Sequence, residues 1–273
     1  AMVRIRGSYA LALMFEEYPE EIYVARKDSP MIIGVADGDC FVASDVPAIL
    51  KYTRSVYYIG NMEIGRLTEG KATFYNLDGD EIEKELVEIK WDAEAAEKGG
   101  YEHFMLKEIN EQPKAVRDTM SQRIAKDNMS IVMDELKWDA EYLNSFNKIY
   151  IVACGTAYHA GLVGKFYIEK LARTVVEVDV ASEFRYREPI VDENTLFIAV
   201  SQSGETSDTL AAMKESKRLG AKTLALTNVV GSSIAREADQ VLYTWAGPEI
   251  AVASTKAYTT QIVLFFMLAL YMA

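Results

Sequence analysis

The sequence predicts an α/β protein in two parts: an antiparallel β-rich layer over residues 1–92, then a parallel sheet wrapped by helices over residues 93–273. Three observations carry this reading. Asp37-Gly38 and Asp78-Gly79 each sit between β-rich runs, and an Asp-Gly pair tolerates the positive φ that a tight hairpin turn requires. From Lys148 onward, short apolar runs alternate with helix-like stretches, the pattern of strands covered on both faces by crossover helices. The run Leu196–Val200 ends in Ser201-Gln202-Ser203-Gly204-Glu205-Thr206 just before a helix-like segment opens near Ser207. A parallel sheet builds an anion pocket at its carboxyl edge in this way.

In the first part, Tyr9–Phe15 and Glu21–Arg26 read as strands on either side of a turn at Pro19. Met31–Val35 and Cys40–Ala43 flank Asp37-Gly38; Thr73–Leu77 and Glu81–Val87 flank Asp78-Gly79. This part has no histidine, and its single cysteine, Cys40, reads as a buried hydrophobe on a strand. From about Trp91 the pattern switches. Ala93–Gly99 and Tyr101–Arg123 read as helical, with a break or a new start at Gln112-Pro113 because proline lacks an N–H and crowds the preceding turn. Strands are expected at Lys148–Ala153, Val175–Val180, Leu196–Val200, Thr223–Thr227 and Gln240–Thr244. Helices are expected at Tyr158–Arg173, Glu183–Arg187, Ser207–Leu219 and Ser232–Ala238. Ile262–Ala273 is a run of twelve apolar residues, short for a membrane span and read as a core helix whose partner lies elsewhere.

The 273 residues leave room for about two domains. A net charge of −12 argues against nucleic acid and against acidic membrane surfaces. An anionic ligand must therefore be held by local dipoles and hydroxyls. Two cysteines far apart, Cys40 and Cys154, point to reduced thiols in the cytoplasm. The opening residues show no signal-peptide pattern. Neither a cofactor nor a metal is expected. Both ends read as cut from a longer chain, and the unpaired strand edges and apolar surface this leaves favour a homodimer.

Three segments fall at the expected carboxyl edge: Cys154-Gly155-Thr156-Ala157-Tyr158-His159, Ser201–Thr206, and Glu249–Lys256. The first N–H groups of a helix lack internal partners and carry the positive end of its dipole. Gly155 and Gly204 allow the tight turns that aim such groups at a ligand. Thr156, Ser201, Ser203 and Thr206 offer hydroxyl protons to an anion. No GxxxxGK[ST] motif is present, so the cradle suits a phosphate smaller than a nucleoside triphosphate. His159 reads either as an acid–base group or as packing, and Lys256 as a phosphate partner or a base. His103 reads as structural. Glu183, Arg185 and Arg187 read as a subunit or interdomain contact, and Thr227-Asn228 with Gly231–Ser233 as a helix cap at the sheet edge. A flavin mononucleotide loop has a similar composition but would follow the first strand. A non-catalytic sugar-phosphate sensor also stays open.

Four segments, Ala153–Thr156, Ser182–Tyr186, Ser201–Thr206 and Val252–Lys256, occur in this order in the sugar isomerase (SIS) domain of the glutamine–fructose-6-phosphate aminotransferase family. Ser29-Pro30 through Asp45 is similar to the distal part of that family's glutaminase domain, and Lys107–Ile109 with Glu111–Pro113 to the entry of its isomerase half. The resemblance covers nearly the whole chain. It implies a flavodoxin-like parallel-sheet SIS domain preceded by a partial Ntn-type glutaminase segment. It implies an enzyme whose N-terminal cysteine frees ammonia from glutamine, while its isomerase half adds that ammonia to fructose 6-phosphate and yields glucosamine 6-phosphate. Ser201, Gln202, Ser203 and Thr206, with Gly204, would hold the phosphate; Gly155, Thr156, Val252 and Ser254 would face the sugar. Cys40 is not at the nucleophile's position, Ala157 replaces a common serine, and the second SIS domain is missing. This chain by itself is therefore expected to bind sugar phosphate weakly and to turn nothing over, with its acid–base residues unassigned.

Overall fold

Alternating apolar residues and two Asp-Gly turns build the first unit of the computed structural model, Ala1–Glu97, from two antiparallel sheets. The structure describes residues 2–46, 48–89, 98–126 and 130–273. The expected boundary at residue 92 and most of the expected helix at Ala93–Gly99 lie outside them; Lys98 and Gly99 are not helical. One sheet holds β1 (Tyr9–Phe15), β2 (Tyr18–Lys27), β6 (Ile64–Thr68), β7 (Lys71–Tyr75) and β8 (Glu81–Ile82). The other holds β3 (Ile32–Ala36), β4 (Asp39–Ala43), β5 (Ser55–Tyr58) and β9 (Val87–Glu88). Ala36 pairs with Asp39 across the Asp37-Gly38 turn, where Gly38 has φ +83°. Val24, Leu67 and Phe74 of one sheet pack with Ile33 of the other in a common core.

Two expectations for this unit are corrected. Pro19 lies inside β2, and the chain reverses at Glu16-Glu17 instead. Proline is tolerated there because the β1–β2 register shifts between Met14 and Phe15, so no regular ladder bond is lost. Glu81–Val87 is not one strand: Glu81–Ile82 pairs with β7, whereas Val87–Glu88 pairs with β5 in the other sheet. Cys40 is half-buried and unpaired. Burial, with help from the Asp39 carboxylate, pushes its thiol above the usual value, the opposite of what activates a nucleophile.

In the second unit, Lys98–Ala273, the strands β10 (Lys148–Ala153), β11 (Val176–Val180), β12 (Thr195–Ser201), β13 (Lys222–Thr227) and β14 (Gln240–Tyr243) form a wholly parallel sheet in the order β11-β10-β12-β13-β14. This is the 2-1-3-4-5 order of one common doubly wound fold, whose switch point lies between β10 and β12. The inner strands β10, β12 and β13 are mostly apolar, whereas the edge strand β11 carries Glu177 and Asp179; along each strand successive side chains serve opposite faces. Ile149, Ile151, Leu196 and Ile198 join α3 (Gly155–Leu171) and α7 (Lys256–Met272) in one core. Tyr150, Val152, Phe197 and Ala199 join α4 (Ala181–Phe184), α5 (Ser207–Arg218) and α6 (Ser233–Glu237) in the other. A short α2 (Ala140–Asn144) adds Leu143 to the first core. Among the described residues no helix is long and apolar enough to cross a membrane.

The first helix of this unit, α1 (Phe104–Ser121), runs unbroken through Pro113, contrary to the expected break. A proline at 113 deprives the Ile109 carbonyl of its usual N–H donor. The Gln112 side-chain amide replaces that donor, reaching Ile109 O at 3.2 Å.

Asp239, just before β14, accepts the N–H and hydroxyl of Thr223 at 2.8 and 3.0 Å and lies 3.3 Å from Lys217. Burial pushes its carboxyl up, but the Thr223 bonds and the Lys217 charge outweigh that and hold it below the usual range. A carboxylate with a lowered folded pKa contributes stability above its unfolded value of about 4 and loses it as pH falls through the folded value. The gap in melting midpoint between the protein and its Asp239→Asn variant should therefore shrink as pH falls from about 6 to about 3. A gap independent of pH would contradict this account.

Candidate functional site

Three loops at the carboxyl edge of the parallel sheet enclose a cavity of about 200 Å³. The Ser201–Thr206 loop is shaped by its own hydroxyls. Ser201 ends β12 almost fully buried, its Oγ accepting the Gly204 N–H at 3.0 Å and sharing a 2.8 Å hydrogen bond with Thr206 Oγ1. Ser203 Oγ accepts the Glu205 N–H at 3.2 Å, which leaves its own proton to give. The loop is pinned from outside by α6: the Ile234 N–H donates to Gly204 O at 2.9 Å, and the Ser233 N–H donates to Glu205 Oε1 at 2.8 Å. Gly204 sits at φ +66°.

The three helix N-termini beside the cavity are not equivalent. Thr206 is the N-cap of α5 and Cys154 that of α3, and neither side chain caps its helix. Their first-turn N–H groups stay open to an anion. The third helix, α7, has already taken a carboxylate. Glu249 Oε1 accepts the N–H groups of Thr255 and Ala257 at 2.9 and 3.1 Å, and its Oε2 accepts the Ser254 hydroxyl at 2.9 Å. A carboxylate at a helix N-terminus is favourable, and here it reserves the other two for a ligand.

Helix α1 grips the third loop from behind. Buried Glu108 accepts the N–H groups of Ile250 and Ala251 through Oε1 at 2.7 and 3.2 Å. Glu111 Oε2 meets Lys256 Nζ at 2.6 Å, and Thr259 donates to Gln112 Oε1 at 2.6 Å.

Ser201, Gln202, Ser203 and Thr206 line one part of the cavity, and Thr156, Val252 and Ser254 another. Gly155, at φ +58°, and Gly204 serve through their backbones and are not part of the wall. Other expectations are corrected. Lys256 is 3% exposed, paired with Glu111 and absent from the wall, so it is neither a phosphate partner nor a base here. His159 is exposed on α3 against the Tyr158 ring and does not reach the cavity. Arg187 turns to Asp179 and Glu177 of its own unit. Ser232 is the N-cap of α6, but the capping carboxylate comes from Glu205. Glu249, on the wall, and Glu108, behind it, stand in segments the sequence singled out but carried no role there, and Gln261, also on the wall, was not singled out. An acidic residue shortly before a helix was a signal for Glu249; nothing local marked Gln261. Among the described residues no cluster of side chains could hold a metal ion.

Residues 142–271 match the family described as the SIS domain. The second unit carries a SIS domain. Along 100% of its length the chain is 59% identical to the glutamine–fructose-6-phosphate aminotransferase (isomerizing) of Clostridium acetobutylicum, of which it covers 45%. It is also 59% identical, over 98% of its length, to the protein of that name from Caldanaerobacter subterraneus, of which it covers 44%. The chain thus spans less than half the length of these relatives. The solved C-terminal domain of glucosamine-fructose-6-phosphate aminotransferase from Francisella tularensis is 44% identical with a TM-score of 0.60, the match covering 63% of this chain and 48% of that one. The carboxyl-edge cavity belongs to the SIS domain of this chain, since its walls run from Cys154 to Gln261.

Proposed function

We propose that the chain is part of a glutamine–fructose-6-phosphate aminotransferase, and that its SIS domain holds fructose 6-phosphate and the product glucosamine 6-phosphate. One observation carries the reading: α3 and α5 point two uncapped N-termini at a cavity edged by the Ser201, Ser203 and Thr206 hydroxyls, while Glu249 fills the third. A dianion is drawn to the open pair and repelled from the carboxylate. The phosphate then lies against Ser201–Thr206, and the open-chain ketose extends toward Thr156, Val252 and Ser254. Ammonia adds at the C2 carbonyl of the ketose, water leaves to give the imine, and isomerisation moves hydrogen from C1 to C2. This chain's residues bind and orient; the acid–base groups lie in the rest of the enzyme.

Residues 1–92 are the distal part of an Ntn-type glutaminase. Two facing antiparallel sheets support that assignment, and the raised Cys40 thiol fits a nucleophile supplied elsewhere in the parent, where glutamine binds. Alone, the chain binds but does not turn over. The parent is a cytoplasmic homodimer: both cysteines are unpaired, and Phe166, Phe266 and Leu270 stay exposed on α3 and α7.

Calorimetric titration with fructose 6-phosphate, with unphosphorylated fructose as control, tests the cavity. Only the phosphorylated sugar should bind. Ser203→Ala with Thr206→Ala should weaken it about 100-fold, since each hydrogen bond to a charged group contributes about 1.5 kcal/mol or more. Equal binding of both sugars, or an unaffected double variant, would reject the phosphate site.

A further inference from the structure

We propose that Gln261 is the specificity residue of this cavity: it reads a hydroxyl of the sugar chain, so that the site prefers a polyhydroxylated phosphate ester to bare phosphate. The inference rests on the sugar-phosphate reading above and adds the group that recognises the sugar itself.

Gln261 stands on the second turn of α7, 2% exposed, with its side chain on the cavity wall. Its Oε1 is buried and has no hydrogen-bond partner among the described residues. Other buried oxygens share that condition, namely the hydroxyls of Thr209, Ser216 and Ser232, Glu108 Oε2, and Asp179 Oδ2, which is ion-paired with Arg187. None of those five residues lines the cavity. The remaining buried residues of the wall cannot do what Gln261 does. Ala157 and Val200 are apolar, and the Ser201 hydroxyl is engaged by Gly204 and Thr206. Gln261 is the one buried side chain of the wall with an uncommitted polar group.

Chemistry selects its partner. The large majority of buried side-chain polar atoms in folded proteins are paired, because an orphan retains its full desolvation penalty. An amide oxygen needs a donor. The phosphate group of an ester dianion presents acceptors alone and cannot satisfy Oε1, whereas a sugar hydroxyl donates to it. The helix termini hold the phosphate, so the amide is free to discriminate on the rest of the molecule. A site built to hydrogen-bond a substrate hydroxyl rejects ligands without one, since binding them leaves the buried group unpaired.

The unfilled acceptor also destabilises the empty protein, which gives a readout independent of sugar binding. Gln261→Met, close in volume and without polar atoms, should raise the melting midpoint of the ligand-free chain by a few degrees. In calorimetry the variant should bind inorganic phosphate within about twofold of the unaltered protein and fructose 6-phosphate about tenfold more weakly. A lower melting midpoint, an equal loss for both ligands, or no loss for the sugar would each overturn the assignment. If the unaltered protein binds inorganic phosphate but discriminates no sugar, the phosphate site stands and this inference falls. If it binds neither, the cavity reading fails and the inference with it.

Discussion

Gly204→Ala is expected to abolish measurable sugar-phosphate binding, a loss of at least about 100-fold, and to destabilise the SIS domain by about 2 kcal/mol or more. Two costs coincide at this position. The backbone sits at φ +66°, where an L side chain is strained by about 1 kcal/mol or more. A Cβ there would also stand 2.5 Å from Ser232 Cβ and 2.8 Å from Thr227 Oγ1, and closer still to Ser232 Oγ. Neither neighbour has room to retreat, since Thr227 ends the inner strand β13 fully buried and Ser232 is buried at the start of α6. The loop must move instead, which breaks the Gly204 N–H bond to Ser201 and the Ile234 N–H bond to Gly204 O. Gly155 is the internal control. It has φ +58°, but a Cβ there meets nothing within 4 Å. Gly155→Ala should show the backbone strain alone and lose far less affinity. Melting midpoints and calorimetric affinities of the two variants decide the matter; equal effects would mean that the close approach at Gly204 is unimportant.

The features legible in the sequence were those whose physics is local. Asp37-Gly38 announces its hairpin because both turn residues are adjacent and the required φ belongs to the glycine. The Ser201–Thr206 loop was readable for the same reason: strand end, turn and helix start follow one another, and three of its shaping bonds run within six residues. Strands β5 and β6 carry no Asp-Gly signal and were missed: Ser55–Tyr58 finds its partners only in strands remote in sequence, and Ile64–Thr68 pairs with remote β2 as well as with adjacent β7 across a Glu69-Gly70 turn that lacks that signal. Pro113 was read as a break because the compensating Gln112 amide is a side-chain event that propensity does not see. Lys256 was misread more deeply. Its position at a helix start next to Ser254-Thr255 suggested a ligand contact, but its partner is Glu111, 145 residues away. Gln261 was silent because a glutamine on a helix becomes informative only once packing has buried it without a partner.

Long-range bonds of this kind also determine where the sugar loop sits, and the second large effect is expected at Glu108. Replacing it with Ala should destabilise the SIS domain by about 2–4 kcal/mol, because two hydrogen bonds to a buried carboxylate vanish together. It should also weaken fructose 6-phosphate about tenfold, since freeing Ile250 and Ala251 releases Val252 and Ser254, which follow directly. Glu108→Gln separates charge from geometry. Glu108 Oε2 has no partner, so the protein draws on only one oxygen of the carboxylate, and an amide keeps that oxygen. The Gln variant should therefore recover most of the stability and most of the affinity. Chemical denaturation and calorimetry on the same three proteins provide both measurements. If Glu108→Ala lowered stability but left affinity unchanged, α1 would brace the domain without positioning the loop. If both fell together and both returned with Gln, the loop's position would depend on α1. That helix holds the segment at Ile250-Ala251, Lys256 and Thr259, and of these contacts only the first lies within the loop, ahead of α7. The carboxylate at 108 would then set where Ser254 meets the sugar, leaving Glu111 and Gln112 to secure the helix behind it.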